Sequence, residues 1–186
     1  MSNQALLLMD FQNVTLGAVG GDDSPQLAQA VKAAEAARAA NVPVVFVRVA
    51  FRPGYPELSS YNQGMAPIAN YGDVFVETEP TAQIHASLNV TDKDIVVTKR
   101  RVGAFSGTDL SSVLSGLGVT DLVLAGVTTG QVVLATFRQA ADSDFGLTVL
   151  SDASGDAEPD VHDFLVERIF PAAAKVTTTD EWISSL

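Results

Sequence analysis

Short runs of apolar residues alternate with amphipathic stretches along the chain, and this alternation is typical of β-strands separated by helices. Successive βαβ units build a parallel sheet with helices on both faces. We therefore expect an α/β fold, a three-layer α/β/α sandwich around a six-stranded parallel sheet. The predicted strands cover residues 5–10, 42–49, 94–99, 121–126, 147–152 and 174–179.

Cap and breaker residues place helices between these strands. Ser24, followed by a proline, is expected to cap a helix that runs to residue 40, and Thr108 and Asp180 are expected to cap two others. Further helices are predicted at 129–144 and 159–170. Residues 50–93 are interrupted by several prolines and glycines, so we expect a long surface excursion, and such excursions often shape a substrate pocket.

Composition narrows the classes of function. With 186 residues, 47% of them hydrophobic, the chain is expected to form a single domain over residues 1–186. Its 22 acidic and 11 basic residues give a formal charge of −11, which makes nucleic acid and anionic membranes poor partners. No apolar run predicts a membrane span or a secretory signal, so we expect a cytoplasmic protein. The absence of cysteine excludes disulfides, thiolate metal sites and thiol catalysis.

Polar residues follow several predicted strands at the edge where a parallel sheet binds its ligands. Asp10 comes after an apolar run and would be largely desolvated, which raises the pKa of a carboxyl group unless a cation stands nearby. Lys99 ends another strand on the same edge and is the natural cation. Two readings are open: a pair that moves a proton to or from a substrate, or a buried ion pair that holds two strand ends together.

The turn after the fourth predicted strand is a second candidate feature. Gly126 permits a tight exit from the strand, and the amides of Thr129 to Val132 would begin the next helix with N–H groups free to bind an anion. An ordinary strand-to-helix turn is the alternative interpretation. The turn "GVTTG" contains no nucleophile beyond its threonine hydroxyls.

Three blocks of sequence resemble the isochorismatase-like hydrolases, also called the cysteine hydrolase superfamily. They are "ALLLMDFQN", "VVTKRRVGAFSGTDL" and "LVLAGVTTGQVVLATFRQAADSDFGLTVLSDAS". The resemblance implies a Rossmann-like fold and a catalytic triad of aspartate, lysine and cysteine. Asp10 and Lys99 match the first two members, and Val132 falls at the position of the nucleophilic cysteine.

The resemblance leaves two classes of function open. The family's amidases need a thiolate, which valine cannot supply, whereas isochorismatases proper have glycine at that position and use the aspartate to protonate a vinyl ether. Here the turn lacks their Tyr-Ala-His, and Arg100 stands where they have tryptophan. The chain is thus either a small-molecule hydrolase that uses Asp10 and Lys99 as acid and base without a covalent intermediate, or a silent or binding relative, including one inactivated at Val132.

The resemblance also implies the residues around the substrate. We expect neither a metal nor a cofactor, because "VRVAFRPGYPE" lacks the Asp-x-His metal motif of nicotinamidases, and structural roles are expected for His85 and His162. The expected substrate-binding residues are Phe11, Gln12, Phe105, Val127, Thr128, Thr129 and Gln131.

Family members commonly assemble, so the resemblance implies a homo-oligomer, a dimer or larger. Four aromatic residues are candidates to anchor such an interface or to line the pocket. They are Phe51, Tyr55, Tyr61 and Tyr71.

Overall fold

The computed structural model describes residues 3–186, and its centre is a sheet of six parallel strands. The strands are β1 (Gln4–Met9), β2 (Val44–Val49), β3 (Ile95–Lys99), β4 (Asp121–Val127), β5 (Gly146–Gly155) and β6 (Lys175–Thr177). Their order across the sheet is β3-β2-β1-β4-β5-β6. The predicted α/β fold with a six-stranded parallel sheet is therefore confirmed.

Five α-helices cover the sheet: α1 (Pro25–Ala39), α2 (Leu110–Gly116), α3 (Leu134–Ala141), α4 (Pro159–Phe164) and α5 (Thr179–Ile183). A π-helical turn, Thr129–Val133, leads into α3, and a second one, Leu165–Ile169, continues α4. The excursion at residues 50–93 forms 3-10 helices and isolated β-bridges but no α-helix and no regular strand, as its composition predicts.

Of the three predicted helix caps, Ser24 is confirmed, Thr108 lies one residue before the observed cap position, and Asp180 is wrong. The Ser24 hydroxyl accepts a hydrogen bond from the first turn of α1, as expected. Helix α2 begins after Asp109, whose side chain makes no cap hydrogen bond, and the Thr108 hydroxyl accepts from the Leu110 amide at 3.3 Å. Helix α5 is capped by Thr178 rather than Asp180. Thr178 takes part in a capping box, which satisfies two backbone amides reciprocally, so it is a better cap than a residue inside the first turn.

The core has two layers because successive residues of each buried strand point to opposite faces of the sheet. On β1, Leu6 and Leu8 pack in the layer beneath α1, whereas Leu7 and Met9 pack in the layer beneath α2 and α3. Helix α1 presents a row of buried alanines to its layer, and these small side chains keep the helix close to the sheet. The densely packed sheet gives the strand ends a rigid base.

Candidate active site

The candidate site lies beyond the carboxyl ends of the strands at the centre of the sheet. Strand β1 has β2 on one side and β4 on the other, so the strand order reverses here, and such a switch point opens a crevice. Asp10 follows β1 directly and donates its amide to the Val47 carbonyl of β2 at 2.8 Å. Lys99 is the last residue of β3 and lies opposite Val49 in the β2–β3 register.

Asp10 and Lys99 form a nearly buried ion pair. The Lys99 ammonium donates to Oδ2 of Asp10 at 2.8 Å, and the two side chains are 3% and 8% exposed respectively. Lys99 also donates to the Arg101 carbonyl at 3.2 Å. Lys99 is thus the cation beside Asp10, as their places at the strand ends predict.

The backbone at Asp10 has the left-handed conformation that non-glycine residues rarely adopt, with a φ of 59°. Two hydrogen bonds to its carbonyl hold it there: the Gln12 amide donates at 2.9 Å, and the Thr15 hydroxyl also donates. The side-chain amide of Gln12 bridges the Val49 backbone and the Ala82 carbonyl. Gln12 thus fixes the chain that leaves β1.

The electrostatic environment of Asp10 differs from that of Asp94, a carboxylate whose side chain is also nearly buried. Burial raises the pKa of Asp10 above its ordinary 3.8, and the opposing Lys99 ammonium does not outweigh it. Burial also disfavours the charge on Asp94, but hydrogen bonds from Arg38 and Thr91 lower the pKa of that carboxyl group below 3.8. Both Asp94 oxygens are hydrogen-bonded, whereas Oδ1 of Asp10 is buried and has no hydrogen-bond partner.

The turn after β4 approaches β1 very closely. A Cβ at Gly126 would lie 2.8 Å from the Met9 carbonyl oxygen, closer than real Cβ atoms come, so the position requires glycine. The peptide between Val127 and Thr128 is cis. The expectation of free amides in the following turn is wrong for two of them: Gly130 N donates to Oδ2 of Asp156 at 2.7 Å, and Gln131 N donates to the Thr128 carbonyl at 3.3 Å.

Val132 is buried on the wall of the cleft, with 1% of its surface exposed. Two nearby threonine hydroxyls are already engaged elsewhere. The Thr129 hydroxyl lies 2.8 Å from Nδ1 of His162, and the Thr136 hydroxyl accepts from the Ala104 amide at 3.0 Å. Thr128 is the threonine of this turn that lines the cavity.

Asp10, Lys99 and Val132 share one cavity of about 640 Å³, a size typical of small-molecule sites. Of the residues expected around a substrate, Val127, Thr128 and Gln131 line it. The other four expected residues are elsewhere: Phe11 lies in the core, Gln12 is bonded to backbone, Phe105 packs on the core near Phe145, and Thr129 is bonded to His162.

Most of the remaining wall consists of residues that the strand ends do not identify. Val14, Thr15 and Ala18 follow β1, and Val102 follows β3. The excursion at residues 50–93 supplies the rest, so the expectation that it shapes a pocket is confirmed. These residues are Gly64, Met65, Ile68, Tyr71, Val74 and Phe75.

The four aromatic residues proposed as anchors divide into two groups. Phe51 and Tyr55 are wrong as interface anchors, because they are buried together in a small core beneath the excursion, with ring centroids 5.5 Å apart. Tyr61 is 96% exposed, and Tyr71 is 67% exposed while it also lines the cavity. Only these two are available for surface contact.

The described residues offer neither a metal cluster nor a membrane span. Over residues 3–186, no three His, Asp or Glu side chains are grouped so that they could hold a metal ion. In the same part of the chain, no helix is long and apolar enough to cross a bilayer. The two histidines make local contacts: His85 accepts from the Ser87 amide at 3.3 Å, and His162 contacts Thr129.

The fold and the cavity at its carboxyl edge define an α/β protein with a candidate small-molecule site, and comparison identifies its family. The isochorismatase domain model matches residues 4–181, so the chain belongs to the isochorismatase family. It is 30% identical over 202 residues to ureidoacrylate amidohydrolase RutB of Pseudomonas savastanoi pv. phaseolicola, covering 98% of this chain and 80% of that one.

A second relative and a solved structure match over nearly their whole lengths. A probable inactive nicotinamidase of Arabidopsis thaliana is 29% identical over 192 residues, covering 99% of this chain and 96% of that one. The structure of an isochorismatase family protein from Burkholderia thailandensis superposes with a TM-score of 0.88 at 30% identity, covering 99% and 95% of the two chains. The family thus includes a protein named for amide hydrolysis and one named as inactive.

Proposed function

We propose that the chain is a small-molecule hydrolase of the isochorismatase family in which Asp10 carries the transferable proton and no covalent intermediate forms. The observation that carries this proposal is the ion pair of Asp10 and Lys99, because both residues line the cavity and Lys99 binds only Oδ2 of the carboxyl group. Burial raises the pKa of this carboxyl group, and its Oδ1 accepts no hydrogen bond. A carboxyl group with a raised pKa and a free oxygen suits proton transfer to a substrate.

Lys99 has the complementary role in this mechanism. Its ammonium holds Oδ2 of Asp10 at 2.8 Å, which fixes the carboxyl group in place and stabilises the carboxylate that forms when the proton leaves. For a vinyl ether, the proton adds to the double-bond carbon and water attacks the resulting oxocarbenium carbon. The adduct then breaks down to a carbonyl compound and an alcohol, and the proton that water releases restores Asp10.

We also propose that Val132 occupies the position of the family's cysteine, as the order and spacing of the sequence blocks indicate. Because Thr129 and Thr136 are engaged, neither replaces a nucleophile there. Direct attack by water is therefore the route that the remaining groups support.

A catalytically silent binding protein is the second candidate function. Val132 packs into the buried cluster beneath α3, so the nucleophile position holds an ordinary core side chain. The plant relative named as an inactive nicotinamidase matches this chain over nearly its whole length. In this alternative the cavity binds a ligand and releases it unchanged.

A substrate screen across pH tests the hydrolase proposal. The wild-type chain is offered small vinyl ethers, esters and amides, and product formation is measured by mass spectrometry. Since an acid must hold its proton to donate it, we expect kcat/KM to fall as pH rises through the raised pKa of Asp10, which lies above 3.8.

The direction of this pH limb decides the role of Asp10. A rate that rises through the same range would instead make Asp10 a general base that acts as a carboxylate. If the chain cleaves none of the compounds at any pH, the hydrolase proposal is contradicted and the silent binding protein is favoured.

We further propose that the chain forms a homo-oligomer, a dimer or larger. Tyr61 and Phe164 are 96% and 57% exposed, and large apolar side chains of this kind are common at subunit contacts. Light scattering at micromolar concentration should give a mass of at least twice 19.5 kDa. A particle of 19.5 kDa would contradict the proposal.

A further inference from the structure

The cavity wall has very little net charge. Asp10 and Lys99 contribute charges of opposite sign at a separation of 2.8 Å, and within residues 3–186 no other acidic or basic side chain lines the wall. Arg100 follows Lys99 in sequence but is held outside the cavity, where its guanidinium binds Glu57 at 3.0 Å and Glu77 at 3.1 Å. The site therefore has no spare cation.

The rest of the wall is mostly apolar. Three uncharged polar side chains, Tyr71, Thr128 and Gln131, are available for hydrogen bonds. Thr15 also lines the cavity, but its hydroxyl is engaged with the carbonyls of Asp10 and Gln12. The apolar part includes Met65, Ile68, Val74, Phe75, Val102 and Val132.

This distribution disfavours a substrate that carries a carboxylate. An anion moved from water to an apolar wall loses its hydration, and only a free cation or several donors would replace it. Lys99 becomes unpaired only when Asp10 is protonated, and an anion bound to Lys99 would then occupy the place where the acid must meet the reacting bond. An uncharged ligand avoids both costs.

We propose that the cavity takes an uncharged, largely apolar small molecule whose single polar group, a carbonyl or an ether oxygen, reaches Asp10 and Lys99. The proposal deepens the proposed function, on which it rests for the bond that is cleaved, although ligand binding itself requires no turnover. The apolar body of the ligand packs against the excursion residues, and Thr128 and Gln131 orient its polar end.

Calorimetric titration of the wild-type chain with a matched pair of probes tests the inference. The pair is 2-naphthamide and 2-naphthoate, which have similar shapes and differ in charge at neutral pH. We expect 2-naphthamide to bind at least about tenfold more tightly, because the desolvation cost falls on the anion alone. Equal or tighter binding of 2-naphthoate would overturn the proposal, and so would binding of neither probe.

A charge-adding variant shows whether the preference comes from the wall. Ile68→Lys places an ammonium on a half-buried wall position, and it should shift the preference toward 2-naphthoate by about tenfold or more. Val90→Lys adds the same charge at an exposed position off the wall and should leave the preference unchanged. Thermal melting confirms that both variants are folded, and an equal shift in both would overturn the assignment to the wall.

The two proposals can fail separately. If the chain binds 2-naphthamide but cleaves nothing in the substrate screen, the proposed hydrolase activity is refuted and the proposed preference for uncharged ligands is retained. If the chain cleaves carboxylated compounds and does not bind neutral ones, the proposed preference for uncharged ligands is refuted and the proposed hydrolase activity is retained.

Discussion

The Val132→Cys variant is expected to gain esterase or amidase activity, with kcat/KM about 10²-fold or more above the wild-type chain on an activated ester. The new thiol would lie on the cavity wall that Asp10 and Lys99 share. A neighbouring cation and a helix start both favour a thiolate, and such surroundings lower the pKa of a cysteine from its ordinary value of about 8.5. Ester hydrolysis followed spectrophotometrically measures the gain.

Alkylation by iodoacetamide gives an independent readout of the same substitution. The wild-type chain has no cysteine, so it offers no thiol to the reagent. Val133→Cys is the matched control, because Val133 lies in the same turn but is fully buried and off the cavity wall. We expect Val132→Cys to label at least about tenfold faster than this control, since only its thiol lies on the cavity wall that Asp10 and Lys99 share.

The opposite outcome would be equally informative. A Val132→Cys variant that neither reacts with iodoacetamide nor hydrolyses esters or amides would show that the pocket has changed beyond one missing nucleophile. The hydrolase interpretation of this site would fall with it, and the silent binding protein would remain.

The sheet could be predicted from the sequence because its determinants are local. The central strands β1, β2 and β4 are mostly apolar runs, and the order of strands and helices leaves few topologies that keep right-handed crossovers. The limits of β5 and β6 were less predictable. Strand β5 extends to Gly155 because its pairing with β4 resumes at Ser154 after an irregularity, and this register depends on the neighbouring strand.

In the candidate site, too, some features follow from local sequence and others depend on distant residues. The ion pair of Asp10 and Lys99 was predictable because parallel strands bring their carboxyl ends to one edge. The engagement of Gly130 by Asp156 was not, since it joins residues 26 positions apart through a loop whose path no local pattern fixes. The position of Gln12 close to Asp10 does not reveal that its side-chain amide is bonded to Val49 and Ala82 and lies off the cavity wall.

The Asp10→Asn variant is expected to lose about 10²- to 10⁴-fold in kcat/KM on whichever compound the wild-type chain cleaves. Asparagine keeps the shape of the side chain but cannot release and recover the proton. Val132→Ala should retain activity within about tenfold, because a mechanism without a covalent intermediate does not use this side chain. Initial rates measured across pH for both variants give the comparison, and the limb assigned to Asp10 should be absent from Asp10→Asn.

Loss of stability must be separated from loss of chemistry, because Asp10→Asn leaves the Lys99 ammonium buried without its counter-charge. Asp94→Asn is the matched control: it removes the charge of a well-buried carboxylate paired with Arg38 at 2.7 Å, and Asp94 does not line the cavity. With rates normalised to the folded fraction from circular dichroism, only Asp10→Asn should lose turnover. Equal losses in both variants would indicate that the Asp10–Lys99 pair only stabilises the contact between β1 and β3. Full activity in Asp10→Asn would show that Asp10 is not the proton carrier.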